Sequence, residues 1–148
     1  MRSALVRVGW VLLIVFGGVL QAHAQFSIRA ASDQAVAGWN RVDYNGKTVW
    51  VSPTVSLASG DVLRVEPTRG PDGRMAVGLV FTDEGARKMQ DLSVAQLNKL
   101  IAFVLDDSVV FAPLVRAQIG KEAQITGNSP SGLTQSVVDR IVASVNRK

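Results

Sequence analysis

Apolar and polar positions change rhythm several times along the chain, and each rhythm predicts an element. Phe26-Ser27-Ile28-Arg29 alternates and reads as a short strand. Residues 31 to 47 are small and polar, and predict a long loop or a weak hairpin around Asn45-Gly46. Thr48 to Val51 is β-rich and stops before Pro53. Ser56 to Asp61 reads as a turn or a single helical turn, and Val62 to Glu66 as a strand. The turn formers Arg69 to Gly73 link it to a strand over Met75–Phe81.

Thr82 then suits a helix N-cap, with Asp83 and Glu84 in the first turn, where the helix dipole favours carboxylates. Ala86, Met89 and Leu92 share one face. Gly85 lowers helix propensity by about 1 kcal/mol relative to alanine, which signals close packing of this helix on a sheet. Ser93 is expected to cap a second short helix carrying Val94, Leu97 and Leu100. Ile101 to Leu105 is continuously apolar, the pattern of a strand covered on both faces. Asp106-Asp107-Ser108 turns the chain into a return strand, Val109 to Ala112, ended by Pro113. Leu114 to Ile119 is expected to continue as an irregular edge strand, followed by a strand at Ala123–Thr126 and a turn at Gly127-Asn128. Ser129-Pro130 suits the start of a last helix, with Leu133, Val137, Val138, Ile141, Val142 and Val145 as its apolar stripe. The layout predicts an α+β fold: a mostly antiparallel sheet with two main helices packed on one face.

The amino-terminal stretch has a different character. Arg2 and Arg7 precede an apolar run from Val8 to Leu20, and Ala22-His23-Ala24 is a small-x-small cleavage signature. The run is shorter than the roughly 20 residues a spanning helix needs. Residues 1–24 therefore read as a signal peptide cut between Ala24 and Gln25, with an uncleaved anchor as the alternative, and 25–148 as one domain. The expected destination is the periplasm or the exterior. Without Arg2 and Arg7 the formal charge falls from +4 to +2. The basic residues are scattered, which argues against a nucleic-acid partner.

Candidate chemistry is sparse. There is no cysteine, and the one histidine is His23, within the signal segment. The commonest general base, the thiolate nucleophile and the usual zinc ligands are thus missing from 25–148. No catalytic motif is present, so no catalytic residue, cofactor or metal is expected. Asp106-Asp107 is better explained as turn chemistry than as a cation site, because calcium wants six or more oxygens. Trp39, Tyr44, Trp50 and Phe111 are the candidates for contacting an extended polypeptide, although each also suits the core or a sheet edge.

Four ordered motifs resemble one family. Thr82-Asp83-Glu84-Gly85-Ala86, Ala102-Phe103-Val104-Leu105-Asp106, Val109-Val110-Phe111-Ala112-Pro113-Leu114-Val115 and Ile125-Thr126-Gly127 are similar to the head subdomain of the protein-export proteins SecD and SecDF. Phe26 to Arg29, Val51-Ser52-Pro53, Leu57 and Asp61-Val62 fit its upstream part. The resemblance implies an exported, non-enzymatic domain whose partner is an unfolded or extended polypeptide, or another envelope protein. The alternative is a small-ligand-binding domain or enzyme on the same fold. Asp107 replaces the family's usual glycine, and the last helix lacks a Glu-Glu-Ala start. The sequence shows none of the family's transmembrane helices after the signal segment, so the resemblance does not extend to proton-driven transport.

Overall fold

In the computed structural model, residues 25–126 and 133–146 are described. The signal segment 1–24, the turn Gly127-Asn128 and the pair Ser129-Pro130 lie outside them. Strand pairing is antiparallel throughout, and the α+β architecture matches the expectation, but the strands are divided between two sheets.

The larger sheet has the order β2-β3-β1-β7-β8. These strands are Asn40–Tyr44, Lys47–Val51, Phe26–Ser32, Leu100–Leu105 and Ser108–Phe111. A short β4, Leu57–Ala58, also pairs with β1. The polar stretch before Lys47 is a true hairpin: Asn45 and Gly46 have φ of 50° and 73°, the left-handed values that a two-residue turn needs. The smaller sheet is β5-β6-β9, Val62–Arg69, Met75–Phe81 and Glu122–Thr126. Pro67 is tolerated in β5 because that strand is an edge and its missing N–H breaks no ladder.

β7 is covered on both faces. Ile101, Phe103 and Leu105 enter the main core with Phe26, Ile28, Phe81 and Met89. Ala102 and Val104 enter a second core with Ala31, Val49 and Val51. Ala31 and Ala102 of that second core are fully buried. The end strands of the larger sheet, β2 and β8, approach each other, and the Tyr44 hydroxyl donates to the Val110 carbonyl at 3.5 Å.

Helix α1, Asp83–Ala95, begins as expected: the Thr82 hydroxyl accepts the Gly85 N–H at 3.0 Å. Its end corrects the expectation. Ser93 caps no second helix; its buried hydroxyl donates to the Gln90 carbonyl and accepts the Ile119 N–H at 2.9 Å. Tertiary contacts therefore claim it, and α1 continues past it. Leu100 joins β7, while Val94 and Leu97 face solvent. Helix α2, Gln135–Asn146, buries Val138, Ile141 and Val145, and the Thr134 hydroxyl accepts the Val137 N–H at its start. Both helices pack into the main core.

The Asp106-Asp107 turn places two non-glycine residues at φ of 50° and 63°. Left-handed backbone is costly for residues with a Cβ, though least so for Asn and Asp. Asp107→Gly is expected to raise stability by about 0.5–1 kcal/mol in urea unfolding. Asp106→Gly is expected to lower it, because the Asp106 carboxylate accepts from Gln25 N at 3.0 Å and pairs with Arg140 at 3.3 Å.

Candidate functional site

The curl of the larger sheet leaves an open groove of about 570 Å³. One wall is the β2–β3 hairpin tip, with Tyr44, Lys47 and Val49; the other is formed by Leu100, Pro113 and Leu114. Phe111 contributes from its floor, where it is 7% exposed. Leu114 stands at the rim, 41% exposed, and bridges back to Leu100.

Local sequence dictates this shape. Pro113 carries no N–H, yet its carbonyl accepts from Ile101 N at 3.1 Å, and Val115 N donates to the Lys99 carbonyl at 2.8 Å. The chain after β8 thus stays alongside β7 while a bulge shifts its register. The expected edge strand over Leu114–Ile119 survives only in this bridge; the remainder is irregular. Among the described residues, β8 has a strand partner on one side only. Edge strands leave backbone donors and acceptors open to a further strand.

Burial raises the Tyr44 phenol above its ordinary value of 10.0, with the Asn45 side chain working in the opposite direction. The hydroxyl therefore stays neutral at physiological pH and remains a donor to Val110.

The groove brings Tyr44 and Phe111 together. Trp39 and Trp50 lie outside its walls. Trp50 is paired with Arg41 and Tyr44 with Lys47, so Trp50 and Tyr44 occupy opposite faces of the hairpin. Both tryptophans are half-buried. Leu114, the most exposed apolar residue of the groove, stood in the sequence within the Val109–Val115 motif and the strand-like run after Phe111, but not among the residues expected to contact polypeptide.

A second constellation holds the scaffold. Asp61 is 9% exposed. Its carboxylate accepts from Ala58 N at 3.0 Å and from Lys88 Nζ at 2.9 Å, and its carbonyl accepts from Thr82 N at 3.0 Å. The hydrogen bond to Asp61 raises the Lys88 amine above its ordinary 10.5. In the sequence Asp61 stood only at the end of a predicted turn and in the upstream match to the SecD head; its role in holding α1 was not visible, because Thr82 and Lys88 lie 21 and 27 positions away.

The profile of the family described as "SecDF, P1 head subdomain" matches residues 33–137. The chain belongs to the SecDF P1 head family. The SecD subunit of Acidaminococcus fermentans is 34% identical over 87 residues, 58% of this chain and 19% of that protein. SecDF of Thermus thermophilus is 43% identical over 58 residues, 38% of this chain and 8% of that protein. The chain thus spans a small part of the length of these relatives. A structure of SecDF, described as a membrane component that enhances protein export, superposes with a TM-score of 0.61 at 21% identity, covering 83% of this chain and 62% of that one. SecDF in its super-membrane-facing form superposes with a TM-score of 0.59 at 25% identity, covering 83% and 18%. The head motifs now have physical roles: Gly85 allows the contact with Asp61, and Ala112-Pro113-Leu114 builds the groove wall.

Proposed function

We propose that this P1 head domain is exported, is non-enzymatic, and binds an extended polypeptide in the groove between Tyr44 and Leu114, in the service of protein export or of another envelope partner. The observation that carries this reading is family membership over residues 33–137. The groove supports it. A one-sided edge strand beside an apolar trough offers main-chain pairing to an added strand and sites for its alternate side chains. Tyr44 serves as a rigid aromatic anchor above the floor that Phe111 closes, while Trp39 and Trp50 contact polypeptide that passes over the hairpin.

The small-ligand alternative has one point in its favour: the groove volume falls within the range of about 300–1,000 Å³ usual for ligand sites. Such sites also need several converging polar groups. Here Asp33, Asn45, Lys47 and Thr48 supply polar lining, while the Thr48 hydroxyl is bonded to Asp43 and the Tyr44 hydroxyl already donates to Val110.

The test is fluorescence anisotropy with a labelled unfolded peptide rich in apolar residues. Leu114→Asp removes an exposed apolar contact and places a charge at the rim. It is expected to weaken binding about tenfold or more, equivalent to roughly 1.5 kcal/mol, with little change in the unfolding midpoint. Binding that survives both Leu114→Asp and Tyr44→Ala would move the site elsewhere on the domain. Absence of any peptide binding would remove the polypeptide reading altogether.

A further inference from the structure

We propose that Asp106 is the receptor for the α-ammonium group of Gln25 that cleavage after Ala24 creates. This rests on the reading of 1–24 as a cleaved signal; the receptor itself is visible in the fold. Gln25 N donates to Asp106 Oδ1 at 3.0 Å, and Asp106 N donates to the Gln25 carbonyl at 3.1 Å. The two residues therefore grip each other through three backbone groups and a carboxylate. β1 begins at the next residue, where Phe26 pairs with Leu105, so the atom freed by cleavage lies at a fixed end of the sheet. Asp106 takes a left-handed φ of 50° in this turn.

Cleavage changes the chemistry of that nitrogen. A processing endopeptidase hydrolyses the Ala24–Gln25 bond: hydroxide from water goes to the Ala24 carbonyl carbon and a proton to Gln25 N. At neutral pH the amine takes up one more proton. A neutral peptide N–H···carboxylate contact thereby becomes an ammonium–carboxylate contact, the stronger kind of hydrogen bond. Other charges face this site. Arg140 Nη2 lies 3.3 Å from Asp106 Oδ2 and competes for the carboxylate. Asp107, next in the turn, adds negative charge.

The identity of residue 25 gives the site a second consequence. An amino-terminal glutamine cyclises when its neutral amine attacks its own side-chain amide carbon. A C–N bond forms, the amide C–N bond breaks, ammonia leaves, and a lactam remains. Only the unprotonated amine reacts, so a carboxylate that holds the ammonium form slows the reaction. Asp106 thus anchors the mature terminus and protects it from cyclisation.

The experiment has two arms. The full chain is exported by a bacterial host and its amino terminus is sequenced; a terminus other than Gln25 overturns the processing reading. Independently, protein beginning at Gln25 is prepared by removing a tag, and loss of ammonia is followed by mass spectrometry while the amine is titrated by NMR. In Asp106→Asn the amine is expected to titrate about half a pH unit lower than in the wild type, a small change for an exposed pair, and to cyclise about threefold faster. Arg140→Gln, which removes the competitor, is expected to shift both in the opposite direction. A merely structural role for Asp106 would change the unfolding midpoint and leave both readouts still. Equal titration and equal cyclisation in wild type and Asp106→Asn overturn the proposal. Should that variant not fold, the wild type decides: its amine titration must fall in high salt, which screens the pair, and an unresponsive titration overturns the proposal.

Discussion

Gly85→Ala is expected to destabilise the domain by about 3 kcal/mol, although alanine is the better helix former by about 1 kcal/mol. A Cβ at position 85 would be driven into the carbonyl oxygen of Asp61 and would lie 2.9 Å from that carbonyl carbon. Neither side can yield cheaply. The Asp61 carbonyl accepts from Thr82 N and Thr82 Oγ1 at 3.0 and 3.3 Å, and the Thr82 hydroxyl accepts the Gly85 N–H. Moving α1 outward to make room would break its own cap and loosen Met89, which is fully buried. Crowding therefore outweighs propensity. Thermal unfolding should show a midpoint lower by roughly 10 °C, at the few degrees per kcal/mol typical of domains of this size. A midpoint equal to or above that of the wild type would mean that the helix start does not bear on Asp61.

This glycine shows how far the sequence could be read. An acidic first turn after Thr82 located the start of α1, since capping is a local matter. Gly85 signalled a close approach, but the surface approached is a carbonyl 24 positions earlier in the chain, and no local pattern points to Asp61. The same limit applies at the other end of α1. Val94, Leu97 and Leu100 have helical spacing, yet Leu100 is a strand residue and the other two are exposed. Ser93 and Gln96 decided the outcome through distant partners: Ser93 Oγ accepts from Ile119 N, and Gln96 Nε2, besides bonding the nearby Leu100 carbonyl, donates to the carbonyl of Ala31. Alternation identified strands but not their neighbours, because a period of two is the same in either sheet. The two-sheet arrangement was therefore not legible, whereas the doubly covered β7 was. In the groove, Tyr44 and Trp50 were grouped by proximity in sequence. A two-residue turn at Asn45-Gly46 puts position 44 opposite 47, and 47 and 50 alternate to opposite faces. That separation becomes legible only once the hairpin is preferred over the loop.

Phe103→Ala is expected to be the most damaging core truncation, at about 4 kcal/mol. Phe103 lies in β7 between β1 and β8, and its ring stands 6.2 Å from that of Phe26 and 6.0 Å from that of Phe111, both tilted. Alanine would remove both contacts and leave a cavity beside the pocket that Ile101, Phe103, Phe111 and Ile125 already line. Phe103→Leu keeps most of the volume and should cost less than about 1.5 kcal/mol in urea unfolding. Phe111→Ala tests the link to the groove. If Phe103 holds the Phe111 ring at the groove floor, each single change already loses their shared contact. The double mutant should then cost less than the sum of the singles, by about 0.5 kcal/mol or more. Additive costs would show that the groove walls, Pro113 and Leu114, hold Phe111 without help from Phe103, and the groove would then be energetically separate from the core of β7.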